Sequence, residues 1–429
     1  MEKIFSSRRF HLFAVLLITV STLLVYSNTF QASFQYDDLP QIVDNHQLKK
    51  TGNIPQILTS PRGITLATFA LNYAVDGLNV AGYHIVNVSI HILVSIAVYF
   101  LIFNTLMLVK GVDAWSKKIS VFSALIFALH PVQTQAVTYI VQRMESLSSL
   151  FYVMAILFFI KSAKAAGSGK RWLFYIAVGL SYLFGFYSKE SAFTLPAVIF
   201  LYDFYFISKG RLKETFKRWP VYGILAALFI FFAVNTIMPL GGFGDLSKES
   251  AVSDVTAPGQ MPEAAPLKSQ PEHSAGFKVT YISPKEYLLT QFNVLLYYIA
   301  LMAVPVNQNL DYDLPRAEAL LEAPEVHKGA ALTIPMLPPI VSLAIIAGII
   351  GAALYLLKKT QTRAASSLRA VSFFILWYFI ILSPTSSFIP IIDVIYEHRI
   401  YLASLGFFVI FVLFIDRLST AVFSKKKSL

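Results

Sequence analysis

Apolar runs long enough to cross a lipid bilayer recur from one end of this chain to the other, and they leave few folds open. A membrane-spanning helix needs about 20 consecutive, mostly apolar residues. In hydrocarbon every backbone N–H and C=O must be bonded inside the structure, so helix is the default. Of the 429 residues, 56% are hydrophobic and only 14% charged, more apolar surface than a soluble domain requires. The expected fold class is therefore all-α: a polytopic integral membrane protein of about 10 spans, 12 at most.

The spans are read at 10–26, 84–109, 119–129, 147–160, 172–187, 192–207, 219–238, 335–357, 371–382 and 400–415. The basic N-terminus runs into the first of them with no convincing small-residue cleavage site, which predicts an uncleaved span. Residues 31–82 form a first outer loop with Asp-Leu-Pro and Ser-Pro-Arg-Gly breakers and a surface helix around Ile64 to Val75. From 239 to 284 the composition shifts to Ala, Pro, Gly, Ser and Glu, predicting a mobile outer loop. The apolar stretch 287–304 is long enough to cross. It is read instead as re-entrant or lying on the outer face, because a crossing would turn the basic connector after 357 outward. No TPR-like or other soluble repeat is present in the sequence.

The net charge of +11 invites a nucleic-acid reading, but its distribution argues against one. With both termini and the basic connectors on the cytoplasmic side, that side takes most of the 35 lysines and arginines and few of the 24 acids. This is the positive-inside pattern, so the basic excess sets topology. The chain has no cysteine, which excludes disulfides, a thiolate nucleophile and cysteine-based metal sites. His91, inside the second span, reads as a packed, hydrogen-bonded interior side chain.

Four charged groups meet the opposite face: Asp37 and Asp38 behind Tyr36, Arg143 with Glu145, Lys189 with Glu190, and Glu397-His398-Arg399. Each stands where a span leaves the bilayer, and ionisable groups there are costly unless they work, pair or reach water. They could lock one another structurally or snorkel to headgroups. They also suit sugar transfer from a lipid phosphate. Arginine and lysine hold phosphate oxygens and stabilise the charge of the leaving phosphate. A carboxylate takes the proton of the attacking hydroxyl. Asp37 and Asp38 could offer one or two oxygen ligands to a divalent metal, too few by themselves to define a site.

The segments YDD, GYHIVNVSIHIL, ALHPVQTQAVTYIVQRMESLSSLFYVMA, YSKES, LDYDLP and YEHRIYLASLGF occur in this order. Together they resemble the membrane part of the transmembrane-and-TPR O-mannosyltransferase family and its bacterial relatives, and more broadly GT-C glycosyltransferases. The resemblance covers about 34 to 408, and the QRMES block is its most specific part.

It implies an enzyme that takes a sugar from a polyprenyl-phosphate carrier, with inversion, and passes it to a hydroxyl of an exported protein. By the same analogy Asp37 or Asp38 is the catalytic base, Asp37 first. Arg143, Lys189, His398 and Arg399 face the carrier phosphate, and Tyr36, Glu145, Glu190 and Glu397 support them. The donor is a polyprenyl-phosphate-linked sugar, and the setting a bacterial inner membrane with the site extracytoplasmic. No TPR segment follows the last span, so acceptor recognition by repeats is not expected. Other readings are transfer to a glycolipid such as lipid A, a lipid-carrier transporter, and an assembly factor without activity. Transport wants a polar path through the bilayer, whereas these charges gather at one face.

Overall fold

The structure is a computed structural model and describes residues 8–236, 275–276, 279, 281–326, 332–360 and 367–426. The loop expected at 239–284 lies almost wholly outside the described residues, as do the connector 361–366 and the first seven residues.

Twelve helices organise the described chain: α1 (Arg8–Val25), α2 (Gly63–Asp76), α3 (Val80–Lys110), α4 (Asp113–Leu129), α5 (Arg143–Lys164), α6 (Ser168–Ser188), α7 (Leu195–Tyr202), α8 (Trp219–Thr236), α9 (Pro284–Ala303), α10 (Pro339–Thr360), α11 (Ser367–Leu382) and α12 (Ser404–Lys426). Shorter helical turns join several of them, and no β-strand occurs among the described residues. Each of the expected spans lies largely on helix among the described residues, although the span read from 335 begins as helix only at Pro339, and the surface segment in the first loop is α2.

Among the described residues six helices are long and apolar enough to cross a membrane, or seven if α4 and the following 131–138 segment, bent by 55°, count as one. The bend falls at Pro131, which cannot donate the hydrogen bond that would continue α4. Helices α8 and α11 are apolar but shorter.

Local chemistry sets the ends of these helices. Asn79 caps α3 by accepting the Ala81 N–H at 3.2 Å, and Gly111 stops it in a left-handed conformation at φ 67°. At 1.5 Å per residue α3 is about 46 Å long, well beyond a hydrocarbon thickness of about 30 Å. Its first turns, with Tyr83, His84 and Asn87 buried, therefore project beyond the apolar bundle into the layer that holds the charged groups. A capping box between Ser283 and Glu286 starts α9.

The core is continuous through α1 and α3 to α12. A Cβ on Gly406 would stand 2.4 Å from the Phe374 carbonyl oxygen, so glycine lets α12 press its backbone against α11. His91 is buried as expected, its Nδ1 on the Tyr401 hydroxyl at 2.7 Å and its Nε2 on the Ala128 carbonyl at 3.0 Å.

The two ends of the bundle differ. At one, Lys118 and Trp115 hold Asp416, each at 2.8 Å. There too Arg218 pairs with Asp203 at 2.9 Å, and Arg369 donates to the Thr360 carbonyl at 2.7 Å. This is the end where the sequence concentrates its lysines and arginines. The other end carries the first loop, the 130–143 segment, the start of α7 and the 385–401 segment.

Candidate functional site

The first loop builds the acidic side of the site. Its apolar residues Ile42, Leu48, Ile57, Phe69 and Ala70 pack against Tyr139, Ile140, Val141 and Met144 at the start of α5, which seats the loop on the bundle. Tyr36 is exposed and left-handed at φ 42°, a conformation a bulky side chain rarely takes and one that marks stored strain. It turns the chain so that the next two aspartates face different surroundings.

Asp38 is buried, and both of its oxygens are occupied. One accepts the Val141 N–H at 2.7 Å and the other the Gln35 N–H at 3.0 Å. Burial outweighs those bonds and raises its pKa to about 6. Asp37 is exposed; its backbone N–H donates to the Tyr139 hydroxyl at 2.9 Å. The Asp37 carboxylate makes no hydrogen bond or ion pair among the described residues. One acid holds the loop in place, and the carboxylate of the other is unengaged.

Lys189 lies between α6 and α7. Its ammonium pairs with Glu145 at 2.9 Å and donates to Gln142 at 3.2 Å. The neighbouring Glu190 accepts Arg62 at 3.1 Å. In the sequence Arg62 stands out only as part of a turn. It sits at φ 57° just before α2, and the Thr65 hydroxyl beside it donates to the Ser188 carbonyl at 3.1 Å. The dipeptide Lys189-Glu190 thus joins α5 on one side to the first loop on the other.

The 397–399 turn completes the set. Glu397 accepts from Gln308 at 2.5 Å, from the Asn309 N–H at 3.0 Å and from the Tyr312 hydroxyl. Burial pushes its pKa up. This carboxylate therefore fixes the 308–312 segment, which overlaps the start of LDYDLP at 310–315. His398 is clamped by Gln135, whose Oε1 accepts its backbone N–H at 2.6 Å and faces Nδ1 at 3.0 Å. Its ring stacks on Tyr396, 5.0 Å between centroids.

Burial, then the charges of Lys189, Arg399 and Arg62, hold the His398 imidazole well below its usual pKa. Arg399 donates to the carbonyls of Asp393 and Val394 at 2.6 and 3.2 Å and has no carboxylate within ion-pair distance among the described residues. Asp393, whose pKa burial raises, is reached by the charges of Arg399, Asp311 and Asp37.

The charges of Asp37 and Arg399 both reach Asp393, and those of Lys189, Arg399 and Arg62 reach His398; Arg62 and Asp393 were left out by sequence reasoning. Arg143, expected at the carrier phosphate, is placed otherwise. It is fully buried and bonds to Asn87 at 2.6 Å, Asn72 at 2.6 Å, Thr68 at 3.1 Å and the Tyr83 carbonyl at 3.0 Å. Its guanidinium also lies over the Phe69 ring at 4.4 Å. These contacts pin α2, α3 and α5 together. Among the described residues no group of three or more His, Asp or Glu is placed to hold a metal ion. Asp38, with both oxygens engaged, leaves Asp37 alone of the pair with free ligand oxygens.

Comparison with known proteins bears out the resemblance drawn from the motifs. The chain is 30% identical to human protein O-mannosyl-transferase TMTC2 over 208 residues, 45% of this chain and 24% of that protein. It is 31% identical to human TMTC3 over 206 residues, 43% of this chain and 21% of that protein. To Tmtc3 of Drosophila melanogaster it is 28% identical over 233 residues, 47% of this chain and 25% of that protein. The chain thus spans about a quarter of the length of these curated relatives. No family model matches the chain, and no solved structure matches it.

Proposed function

We propose that the chain is a membrane glycosyltransferase that moves a sugar, mannose by analogy with its relatives, from a polyprenyl-phosphate carrier to a hydroxyl of an exported protein. The site lies on the extracytoplasmic face of a plasma membrane, with the basic end of the bundle in the cytoplasm.

The observation that carries this reading is an unengaged carboxylate, Asp37, at the same end of the bundle as an arginine, Arg399, that has no carboxylate within ion-pair distance among the described residues. Asp37 and Arg399 both act on Asp393, so a base and a phosphate-binding cation address one small region. The carrier phosphate is held by Arg399, with Lys189 and Arg62 beside it. The acceptor oxygen attacks C1 of the sugar, its proton passes to Asp37, and the C1–O bond breaks with its electron pair leaving on the phosphate. Attack from the face opposite the phosphate inverts the anomeric centre. Fixed cations stabilise the charge that develops on the leaving oxygen, and Asp37 contributes as general base.

The test combines reconstitution with mass spectrometry. Purified protein is given a short-chain polyprenyl-phosphate mannose and a pool of serine-, threonine- and tyrosine-containing peptides. In parallel, exported proteins and glycolipids are compared with and without the gene. Sugar on protein hydroxyls supports the reading, whereas sugar on glycolipid alone redirects it to a lipid acceptor. No transfer in either format would overturn the glycosyltransferase reading.

A further inference from the structure

His398 stands inside the cationic side of the site and looks at first like a fourth phosphate ligand. Its hydrogen bonds argue against that. Gln135 donates through Nε2 to the Leu310 carbonyl at 3.0 Å, which leaves Oε1 as the atom facing His398. An oxygen acceptor at 3.0 Å from Nδ1 requires the proton to be on Nδ1, so Nε2 of the neutral ring carries a lone pair. Stacking on Tyr396 and the second bond from the His398 backbone N–H to the same oxygen keep the ring from turning over. Nε2 itself makes no hydrogen bond among the described residues.

A lone pair cannot bind an ionised phosphate. The phosphodiester of a lipid-phosphate sugar carries no proton at neutral pH, so its oxygens and Nε2 are all acceptors and repel. A proton on Nε2 would remove the conflict, but it would put a fourth positive charge beside Lys189, Arg399 and Arg62 in a buried place. What Nε2 can accept is an O–H, and the hydroxyls nearest a bound glycosyl phosphate are those of the sugar.

We infer that His398 reads a hydroxyl of the donor sugar through Nε2, and so sets which sugar is transferred, while Arg399 and Lys189 hold the phosphate. The inference rests on the glycosyltransferase reading above. A site built to pair a substrate hydroxyl discriminates strongly against an analogue that lacks it, because the buried acceptor is then left unpaired.

The experiment uses the full chain in detergent and a set of carrier-phosphate mannose donors, each lacking one hydroxyl. Transfer from the parent donor is measured first; its failure would overturn the glycosyltransferase reading itself and is separable from the deoxy-donor comparison. In the wild type, one deoxy donor is expected to lose roughly tenfold or more in kcat/KM. His398→Asn keeps a donor where Nδ1 stands and removes the outer edge of the ring, Nε2 together with Cε1. In this variant the parent donor should fall to the level of that deoxy donor, so that the discrimination disappears. His398→Gln, which can return an oxygen near Nε2, should restore part of it.

Binding of sugar-free carrier phosphate, measured above its second ionisation at about pH 6, should be unchanged in His398→Asn and weakened in Arg399→Ala. It doubles as the check that the variant is folded. Equal penalties for every deoxy donor in wild type and in His398→Asn would overturn the inference. Loss of carrier-phosphate binding in His398→Asn, with His398→Gln still binding, would return His398 to the phosphate.

Discussion

Asp38 accepts the backbone N–H of Val141 at 2.7 Å, a bond that ties the first loop to the turn leading into α5. Through it the strained Tyr36 turn and the free carboxylate of Asp37 are held against the bundle rather than left on a hydrated loop. The two adjacent aspartates consequently have different surroundings, and under the proposed function substitution should separate their roles.

Asp37→Asn removes the proton acceptor and leaves the loop intact. Transfer should fall by about 10²–10⁴-fold, with carrier binding and thermal stability unchanged. Asp38→Asn replaces one acceptor oxygen by an amide nitrogen that faces a backbone N–H. That conflict should cost about 1–3 kcal/mol of stability, with activity lost only as the loop loosens. Single-turnover transfer and unfolding of both variants in one detergent decide it. Full activity in Asp37→Asn would end its role as base.

Asp38 also predicts a pH dependence. Burial raises its pKa from 3.8 to about 6, so the folded state binds the proton more tightly than the unfolded chain. Its contribution is complete below about pH 4, declines as pH rises towards 6, and is constant above that, about 3 kcal/mol across the window. The stability difference between wild type and Asp38→Asn should therefore shift against the wild type between about pH 4 and 6. A flat difference would show that burial does not control this carboxyl.

Arg143 and Arg399 should also part company. Arg143→Ala leaves Asn87, Asn72, Thr68 and the Tyr83 carbonyl without their donor in a buried layer, at a cost of roughly 3 kcal/mol or more. Poor yield and a lowered Tm are expected before any effect on binding. Arg399→Ala should be stable and bind the carrier phosphate more weakly, since a phosphate contact exists in both ground and transition states. A stable Arg143→Ala with selectively weakened carrier binding would restore Arg143 to the phosphate.

Orientation is open to direct labelling because the chain has no cysteine. Single cysteines at Lys118 and Lys359 should react from the cytoplasmic side, and those at Ser60 and Arg316 from the opposite side. Reaction of Lys359→Cys from outside would reverse α10 and bring α9 back as a crossing helix.

The helices were legible because membrane helices announce themselves by length: α3, α5, α10 and α12 are long apolar runs whatever they pack against. The acidic pair and the three charged groups at segment ends were visible for a related reason, since charge stands out beside hydrocarbon. Their partners were not. The ligand that sets Asp38 apart from Asp37 is a backbone N–H, which no side-chain pattern reveals. Arg143 looked like a phosphate ligand because its neutral acceptors, Asn72 and Asn87, lie in distant parts of the sequence. Arg62 was hidden inside Ser-Pro-Arg-Gly, where proline and glycine signal a turn and drew attention from the charge between them. Gln135 stood in a quoted motif, yet its grip on His398 depends on a fold that brings 135 and 398 together.

Lys189 and Glu190 are neighbours in the chain with opposite exposure. The Lys189–Glu145 pair is largely enclosed, at 13% and 4% side-chain exposure, while Arg62–Glu190 stands at 39% and 37%. Dissolved ions screen the second and scarcely reach the first. Ionic strength therefore acts as a selective solvent for one seam of this molecule. Added salt slackens the ion-pair tether between the Arg62 turn and the α6–α7 junction while the lysine stays fastened to α5. The Arg62 turn can then loosen locally, while the Asp38–Val141 bond and the apolar contacts keep the loop that carries the free carboxylate on the bundle.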